Sequence, residues 1–329
     1  MPVQRIKFYQ TGSFAVGNRL LDPDQRSVQA DTHRTNSLNS GHRACQGCGE
    51  ALGARYVLDA VMRATGNQMV AVNSTGCLEV FSTPFPESSW RIPWLHSLFG
   101  NAPAVATGVA AALKVKGRTD VRVVGQGGDG GTVDIGLACL SGMFERNDDV
   151  LFICYDNGGY MNTGVQRSGA TPHGAATTTT PAGNSFGQGK NLPEIAMAHR
   201  IPYVATATVA DLRDLEYKAS RAMEFHGARY LHVLVPCPLG WRTASDETIR
   251  IARLATESGV FPVFEAVDGV VSDATKIRRL VSVIDYLRPQ GRFAHLFGDT
   301  PREDVISRIQ AEADRNIRIF GLTESDEVS

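Results

Sequence analysis

The sequence predicts an α/β fold: a doubly wound, mostly parallel sheet with extensions at both ends of the chain. Apolar runs of strand length alternate with longer stretches of helical period. The strand candidates are rich in Val, Ile and aromatic residues and show little polar alternation, which is typical of strands covered on both faces. Glycine-rich and polar motifs follow the ends of these strands, where ligands bind in such sheets.

Each element is predicted from this pattern in chain order. Strands are expected over 68–74, 120–126, 149–156, 201–208 and 229–236. The helices between them are expected over 51–64, 102–116, 132–147 and 209–226. Further amphipathic helices are predicted over 248–258, 274–287 and 302–316.

The domain organisation is predicted from where this pattern begins and ends. Residues 1–41 are polar with few periodic apolar positions, and we expect an N-terminal extension. Residues 42–241 carry the sheet and the motifs, and 242–329 are expected to form a C-terminal helical extension. Within the central part, 169–190 is rich in Gly, Thr and Pro, which predicts a long loop that covers a site or a partner.

Composition excludes several classes of partner. The 33 basic and 34 acidic side chains leave a net charge of -1, so neither nucleic acid nor an anionic membrane is indicated as the main partner. No stretch approaches the ~18 apolar residues of a membrane span, and the N-terminus lacks the apolar core of a signal peptide. We therefore predict a cytoplasmic protein, in which a Cys-x-x-Cys pair indicates metal binding or redox chemistry rather than a structural disulfide.

The stretch "GQGGDGGTVDIG" (125–136) joins a strand to a helix through glycines that flank Asp129. Glycines let the backbone approach a ligand, and a helix N-terminus directs N–H groups at an anion, so a phosphate fits here. A generic strand-to-helix turn can also be glycine-rich, so the glycines alone are weak evidence for a phosphate site. Asp129 distinguishes this turn, because a carboxylate beside a phosphate needs a cation such as Mg²⁺ between them.

The next strand along the chain closes on Asn157, one helix and one strand after Asp129. Both residues are therefore expected at the carboxyl edge of adjacent parallel strands. This spacing resembles the thiamine diphosphate signature. In that family the Asp, the Asn side chain and a main-chain carbonyl two residues further on hold Mg²⁺ against the diphosphate. The matching positions are Asp129, Asn157 and Gly159.

Cysteines provide the second chemical signal. Cys45 and Cys48 form a pair in "HRACQGCGE", while Cys77 and Cys237 each follow a strand. Four thiolates can hold zinc or a 4Fe-4S cluster. Zinc ribbons generally pair two Cys-x-x-Cys knuckles, whereas two of these cysteines are single, which favours the cluster. Thioredoxin-like chemistry is disfavoured because Cys45 precedes no helix fed by a strand.

The remaining cysteines are assigned to the core. Cys139 falls within a predicted helix and Cys154 within an apolar strand. A free cysteine in such a position usually behaves as a small buried hydrophobe.

Several motifs between about Gly41 and Trp241 resemble, in the same order, those of one family. They are "HRACQGCGEA", "NSTGCLEVFSTPFP", "GGDGGTVDIGL", "ICYDNGGYMNTG", "QRSGATP" and "LVPCPLGW". Together they resemble the thiamine diphosphate-binding beta subunit of 2-oxoacid:ferredoxin oxidoreductases, nearest to the pyruvate enzyme. The resemblance implies a sheet of the thiamine diphosphate-binding type.

The resemblance also implies roles for individual residues. Glu50 would lie near the cofactor and Asn162 would face the substrate and thiazolium, although a first-turn helix acid and a turn residue are the plain interpretations of these two. The residues implied to bind cofactors are Cys45, Cys48, Cys77 and Cys237 for the 4Fe-4S cluster, Asp129, Asn157 and Gly159 for Mg²⁺, and Gly128 and Gly130 for the diphosphate.

In this family a 2-oxoacid, most typically pyruvate, is oxidatively decarboxylated to acyl-CoA and CO₂, and its electrons pass through the cluster to ferredoxin in a reversible reaction. Coenzyme A is the co-substrate. The glutamate that activates the aminopyrimidine and the arginine that binds the substrate carboxylate belong to another subunit. The resemblance therefore implies activity only with an alpha-type pyrimidine-domain subunit and with gamma-type and ferredoxin-like components, separate or fused.

Three alternatives stay open at this point. The same chemistry could act on oxalate, a branched-chain 2-oxoacid, 2-oxoglutarate or an aryl glyoxylate. A non-redox thiamine diphosphate lyase or decarboxylase with structural zinc would keep Asp129 and Asn157 without needing Cys237. A noncatalytic interaction protein could retain the fold.

Overall fold

The sheet at the centre of the protein contains the predicted strands and additional ones. The computed structural model describes residues 36–84, 88–187 and 189–323. In the sheet order β2-β1-β3-β4-β6-β5-β7-β8, the strands through β5 are parallel, and β7 and β8 each run antiparallel to the preceding neighbour. The strands are β1 (Met69–Ser74), β2 (Trp94–Ser97), β3 (Arg122–Gly128), β4 (Val150–Asp156), β5 (Tyr203–Thr208), β6 (Arg229–Leu234), β7 (Phe264–Val267) and β8 (Val270–Ala274).

Helices cover both faces of the sheet. Helices α1 and α6 pack with one hydrophobic cluster, and α3, α4 and α5 pack with another on the opposite face. The helices are α1 (Gly49–Ala64), α2 (Cys77–Ser82), α3 (Ala102–Val115), α4 (Leu137–Glu145), α5 (Leu192–Ala198), α6 (Leu212–Arg221), α7 (Pro238–Trp241), α8 (Thr248–Glu257), α9 (Val283–Leu287) and α10 (Glu303–Phe320). No helix among the described residues is both long and apolar enough to cross a membrane.

The fold class and the predicted strands are confirmed, with boundaries shifted by one or two residues. The helix predicted over 132–147 has a different start. It begins as a π-helical segment, Gly130–Asp134, and continues as α4 from Leu137. Glycines make this irregular start possible, because a Cβ on Gly136 would lie 2.1 Å from the carbonyl oxygen of Gly131.

The prediction that 242–329 is helical is wrong in part. Strands β7 and β8 form a hairpin in this segment, and β7 pairs with the otherwise free edge of β5. The hairpin closes over Asp268 and Gly269, whose φ values of 50° and 80° are those of a type I′ turn. The helix predicted over 274–287 is also shorter, since only Val283–Leu287 is helical.

The predicted extensions have different outcomes. Residues 1–35 of the N-terminal extension lie outside the described residues. The C-terminal part contributes a third hydrophobic cluster, in which Trp241 of α7, Ile251 of α8 and Phe293 are buried. That cluster packs beneath the loop that follows β6. The domain boundaries themselves stay a prediction.

Two glycines provide a matched test of this packing. Gly108 is an exposed position within α3 where an added Cβ would meet nothing within 4 Å, whereas a Cβ on Gly125 of β3 would lie 2.4 Å from the ring of Phe152. We expect Gly108→Ala to raise the free energy of unfolding by about 0.5 to 1 kcal/mol, because alanine favours helix. Gly125→Ala should lower it by about 1 to 3 kcal/mol through overpacking. Urea denaturation measures both, and equal effects would contradict this packing.

Candidate active site

Strand order determines where the site lies. The chain runs from β1 to the edge strand β2 and returns to β3 on the other side of β1. The connections after β1 and β3 therefore leave in opposite directions and open a crevice at the carboxyl edge of the sheet. The connections that follow β4 and β6 end at the same edge, because these strands are parallel to β3.

A cleft with a cavity volume of about 50 Å³ occupies this edge. It brings together residues from the loops after β1, β3 and β4 and from the first turn of α1. Of the residues predicted for the site, Glu50, Cys77, Gly128, Gly130, Asn157, Gly159 and Asn162 line the cleft. Thr75, Phe99, Tyr160 and Met161 complete much of the wall.

Asp129 lies beneath the cleft and is fully buried. The hydroxyl of Ser168 donates to its Oδ2, and the backbone N–H of Asn157 donates to Oδ1 at 3.4 Å. Burial raises the pKa of Asp129, and the nearby charge of Asp156 raises it further. A cation is the natural compensation for a carboxylate in this position.

Asn157 has the features of a metal ligand. Its side chain is buried, and its Nδ2 donates to Glu50 Oε2 at 3.2 Å. Its Oδ1 has no hydrogen-bond partner among the described residues. A buried amide oxygen left free next to a buried carboxylate is the kind of oxygen donor set that Mg²⁺ binds, so the residues fit this ion.

The backbone around Asn157 is fixed from both sides. Trp241 Nε1 donates to the Asn157 carbonyl at 2.6 Å, and the Thr171 hydroxyl donates to the Gly158 carbonyl at 2.8 Å. These bonds join the loop after β4 to α7 and to the long loop 169–190. That loop therefore contacts the backbone next to Asn157, while its role as a cover for a site stays a prediction.

Glu50 enters the cleft from the first turn of α1 and is 3% exposed. Burial raises its pKa to about 8, although the hydrogen bond from Asn157 opposes the shift. Its position depends on Gly49, where a Cβ would lie 2.7 Å from the Pro236 carbonyl oxygen. The start of α1 is thus pressed against the loop after β6.

The glycines of the π-helical segment allow close backbone approach. A Cβ on Gly130 would lie 2.4 Å from the ring of Tyr160. The Tyr160 hydroxyl donates to Asp134 Oδ2 at 2.9 Å, and its oxygen also lies 3.2 Å from the Gly130 carbonyl oxygen. This segment leaves a bare backbone facing the cleft, as a bound diphosphate requires.

Burial and the charge of Glu50 both raise the pKa of three of the cysteines predicted as ligands, Cys48, Cys77 and Cys237. Burial raises the pKa of Cys77, and the charges of Glu50, Cys237, Cys48 and Cys45 raise it further, in that order. Burial also raises the pKa of Cys48 to about 12. No group of three or more His, Cys, Asp and Glu side chains that could hold a metal ion is formed within the described part of the chain.

Two of these sulfurs accept backbone hydrogen bonds at helix starts. Ala51 N donates to Cys48 Sγ and Gly240 N donates to Cys237 Sγ, each at 3.4 Å. Backbone donors to cysteine sulfur suit an iron–sulfur cluster, whose potential such bonds help to set. Of the two cysteines assigned to the core, Cys154 is fully buried, whereas Cys139 is only half-buried.

Sequence reasoning missed the supporting residues. Ser168 and Thr171 hold Asp129 and Gly158, and both fall within the quoted motif "QRSGATP". Trp241 belongs to the motif "LVPCPLGW" in the same way. Their presence in motifs was a usable signal, but their partners are distant in sequence and could not be read from it.

Comparison with known proteins agrees with this geometry. Residues 74–233 match the family model described as the thiamine pyrophosphate enzyme C-terminal TPP binding domain. The chain is 49% identical over 290 residues to the pyruvate synthase subunit PorB of Methanosarcina barkeri, covering 87% of this chain and 97% of that protein. The chain belongs to the beta subunits of the 2-oxoacid:ferredoxin oxidoreductases.

Other relatives within this family differ in substrate. The ketoisovalerate oxidoreductase subunit VorB of Pyrococcus abyssi is 42% identical, with 81% of this chain and 86% of that protein covered. A solved 2-oxoglutarate:ferredoxin oxidoreductase from Magnetococcus marinus, with 2-oxoglutarate, coenzyme A and succinyl-CoA bound, aligns with a TM-score of 0.54 at 28% identity, over 61% of this chain and 67% of that one. As a beta subunit, the chain is part of a multi-subunit oxidoreductase and carries a thiamine diphosphate-binding fold.

Gly128 lines the cleft, and a Cβ added to it would have no protein atom closer than 3.9 Å. An alanine side chain at this position would therefore fit the protein and extend into the cleft. We expect Gly128→Ala to weaken thiamine diphosphate binding roughly tenfold or more, equivalent to about 1 to 3 kcal/mol, because the methyl group takes space that the diphosphate needs. Thermal stability of the cofactor-free protein should not change. Calorimetric titration tests this, with Gly108→Ala as the control, and unchanged affinity would contradict it.

Proposed function

We propose that the chain binds thiamine diphosphate, Mg²⁺ and a 4Fe-4S cluster as the beta subunit of a pyruvate:ferredoxin oxidoreductase. The overall reaction converts a 2-oxoacid and coenzyme A to acyl-CoA and CO₂, and two electrons leave for ferredoxin. The single observation that carries the proposal is the position of Cys77. It lines the same cleft as Gly128 and Asn157, so a cluster ligand and the diphosphate site share one wall.

For the cofactor, Asp129, the side-chain oxygen of Asn157 and the carbonyl of Gly159 are proposed to hold Mg²⁺. Gly128 and Gly130 are proposed to face the diphosphate. Thiamine diphosphate bound there would supply the electron sink that decarboxylation of a 2-oxoacid needs. The free Asn157 Oδ1 and the buried Asp129 support this assignment.

For the cluster, Cys45, Cys48, Cys77 and Cys237 are proposed as ligands. A cluster held by them would accept electrons one at a time from the cleft and pass them on. The two single cysteines, Cys77 and Cys237, favour this choice over a zinc ribbon, which generally pairs two Cys-x-x-Cys knuckles. The N–H donors to Cys48 and Cys237 are compatible with thiolate ligation. Cys45 is exposed, whereas the other three cysteines are partly buried. Ligation by all four therefore requires the Cys45 side chain to turn towards the other three sulfurs.

Glu50 and Asn162 are proposed to act directly in the cleft. Glu50 can hold a proton at its carboxyl group near neutral pH and keeps Asn157 oriented through their hydrogen bond. Asn162 is exposed and lines the cleft, where its side-chain amide can donate to a substrate oxygen. Both positions suit contact with the reacting part of the substrate.

Pyruvate is proposed as the substrate because relatives at 49% and 48% identity are pyruvate synthase subunits. A branched-chain 2-oxoacid is the second candidate, since VorB is a ketoisovalerate oxidoreductase subunit. Coenzyme A is proposed as co-substrate from the ligands of the 2-oxoglutarate enzyme.

The missing pyrimidine-activating and carboxylate-binding residues are proposed to come from an alpha-type subunit, with gamma-type and ferredoxin-like components completing the complex. Residues 42–241 are proposed as the functional core and the cytoplasm as its location.

The substrate proposal predicts activity of the assembled complex. We expect anaerobically purified complex to reduce methyl viologen with pyruvate and coenzyme A, and this chain alone to be inactive. A panel of pyruvate, 2-oxoisovalerate, 2-oxoglutarate, oxalate and phenylglyoxylate ranks the substrates by kcat/KM. A higher value for another acid would overturn the choice of pyruvate, and turnover by the isolated chain would refute the need for partners.

The ligand proposal predicts a specific loss of iron. Cys237→Ser and Cys77→Ser should reduce the iron content of the purified complex and its electron paramagnetic resonance signal, because each removes one thiolate. Cys139→Ser is the matched control and should keep both, since Cys139 lies in α4 away from the cleft. One zinc and no iron in the unaltered complex would instead favour the non-redox alternative.

A further inference from the structure

Arg292 carries a buried positive charge, and neither of its hydrogen-bond acceptors is negatively charged. It lies in the 3₁₀ segment Gly291–Phe297 and is 2% exposed. Its Nε donates to Gln290 Oε1 at 2.8 Å and its Nη2 to the Tyr286 hydroxyl at 3.3 Å, and both acceptors are neutral. Its Nη1 has no hydrogen-bond partner within the described ranges. Burying a charge in this way costs free energy, so a packing role alone does not account for it.

The guanidinium stacks on the loop that carries a proposed cluster ligand. Its central carbon lies 3.6 Å from the ring centroid of Trp241. Trp241 ends the short helix α7, which begins directly after Cys237. The same indole donates to the Asn157 carbonyl at 2.6 Å. Trp241 thus joins Arg292 to both proposed metal centres.

Arg292 also touches the proposed magnesium loop. A Cβ on Gly158 would lie 2.9 Å from its Nη1, so the guanidinium packs closely against the backbone of this loop. Burial lowers the pKa of Arg292, while Tyr286, Asp156 and Cys237 oppose the shift. Of these three groups, Asp156 lies at the end of β4 and Cys237 in the loop after β6.

We propose that Arg292 is a positioning residue that holds the Cys237 loop against the Asn157 loop and whose fixed positive charge raises the reduction potential of the cluster. This inference rests on the proposed function, because it requires a cluster at Cys237. Reduction adds one negative charge to a cluster, and a cation held nearby in a low-dielectric interior stabilises the reduced form. Electrons leaving the cleft are then accepted more readily.

Arginine suits this task better than lysine. Its planar group can stack on an indole while it stays charged at all relevant pH values. A lysine at the same position keeps the charge and loses the stack. Arg292→Lys therefore keeps the positive charge without the planar stacking group, and Arg292→Gln removes the charge. Arg292→Met also removes the charge, but it does not bury a new polar group.

The experiment is a redox titration of the anaerobic complex followed by electron paramagnetic resonance. Iron content and calorimetric affinity for thiamine diphosphate with Mg²⁺ are measured on the same samples. We expect a more negative midpoint potential in Arg292→Gln and Arg292→Met, and a potential near that of the unaltered complex in Arg292→Lys. Arg302→Gln is the matched control, because Arg302 is an exposed arginine paired with Asp304.

Each outcome decides the proposal. A cluster with unchanged potential in Arg292→Gln or Arg292→Met would overturn it. If neither neutral variant assembles a cluster and Arg292→Lys does, the requirement for a positive charge is supported. If Arg292→Lys also fails to assemble one, the residue acts through shape and the proposal is lost. Absence of iron from the unaltered complex would refute the proposed function instead, and is distinguished by that measurement.

Discussion

The buried carboxylate of Asp129 is the constraint on which the site depends. It lies under the cleft with no cation beside it from the described residues, and Asp156 adds to the negative charge. Donors from Ser168 and Asn157 stabilise the carboxylate, but they are neutral and offset only part of the desolvation cost. A positive ion bound beside Asp129 would offset the remainder. Ligand binding and local stability are therefore linked.

Around this carboxylate, the fold brings together loops that are far apart in the sequence. Glu50 starts α1, Asn157 follows β4 and Trp241 ends α7, yet they are joined through hydrogen bonds at Asn157. Parallel strands make this possible because their carboxyl ends all meet at one edge. The third hydrophobic cluster, to which the C-terminal part contributes, packs against this edge of the sheet. Arg292 lies next to that cluster and stacks on Trp241, between the Asn157 loop and the Cys237 loop.

The sequence supported the fold class, the parallel strands and the residues of the cleft, because apolar runs and strand-end motifs are local signals. It did not predict β2, which is only four residues long. It also did not predict the π-helical start at Gly130, where Gly136 packs closely on Gly131 and Gly130 on the Tyr160 ring. The hairpin β7–β8 was readable in Asp268-Gly269 and was overlooked within a helical C-terminus. Ser168 and Arg292 could not be assigned, because their partners are set by tertiary packing.

That hairpin has a consequence for synthesis of the chain on the ribosome. Strand β5 pairs with β6 on one side and with β7 on the other. Residues 264–274 follow the other described strands in the chain, so the outer edge of β5 has no partner until they have been made and have emerged. An unpaired strand edge invites association with other chains. Two residues of turn let the hairpin close within microseconds once it emerges, which shortens the period of exposure.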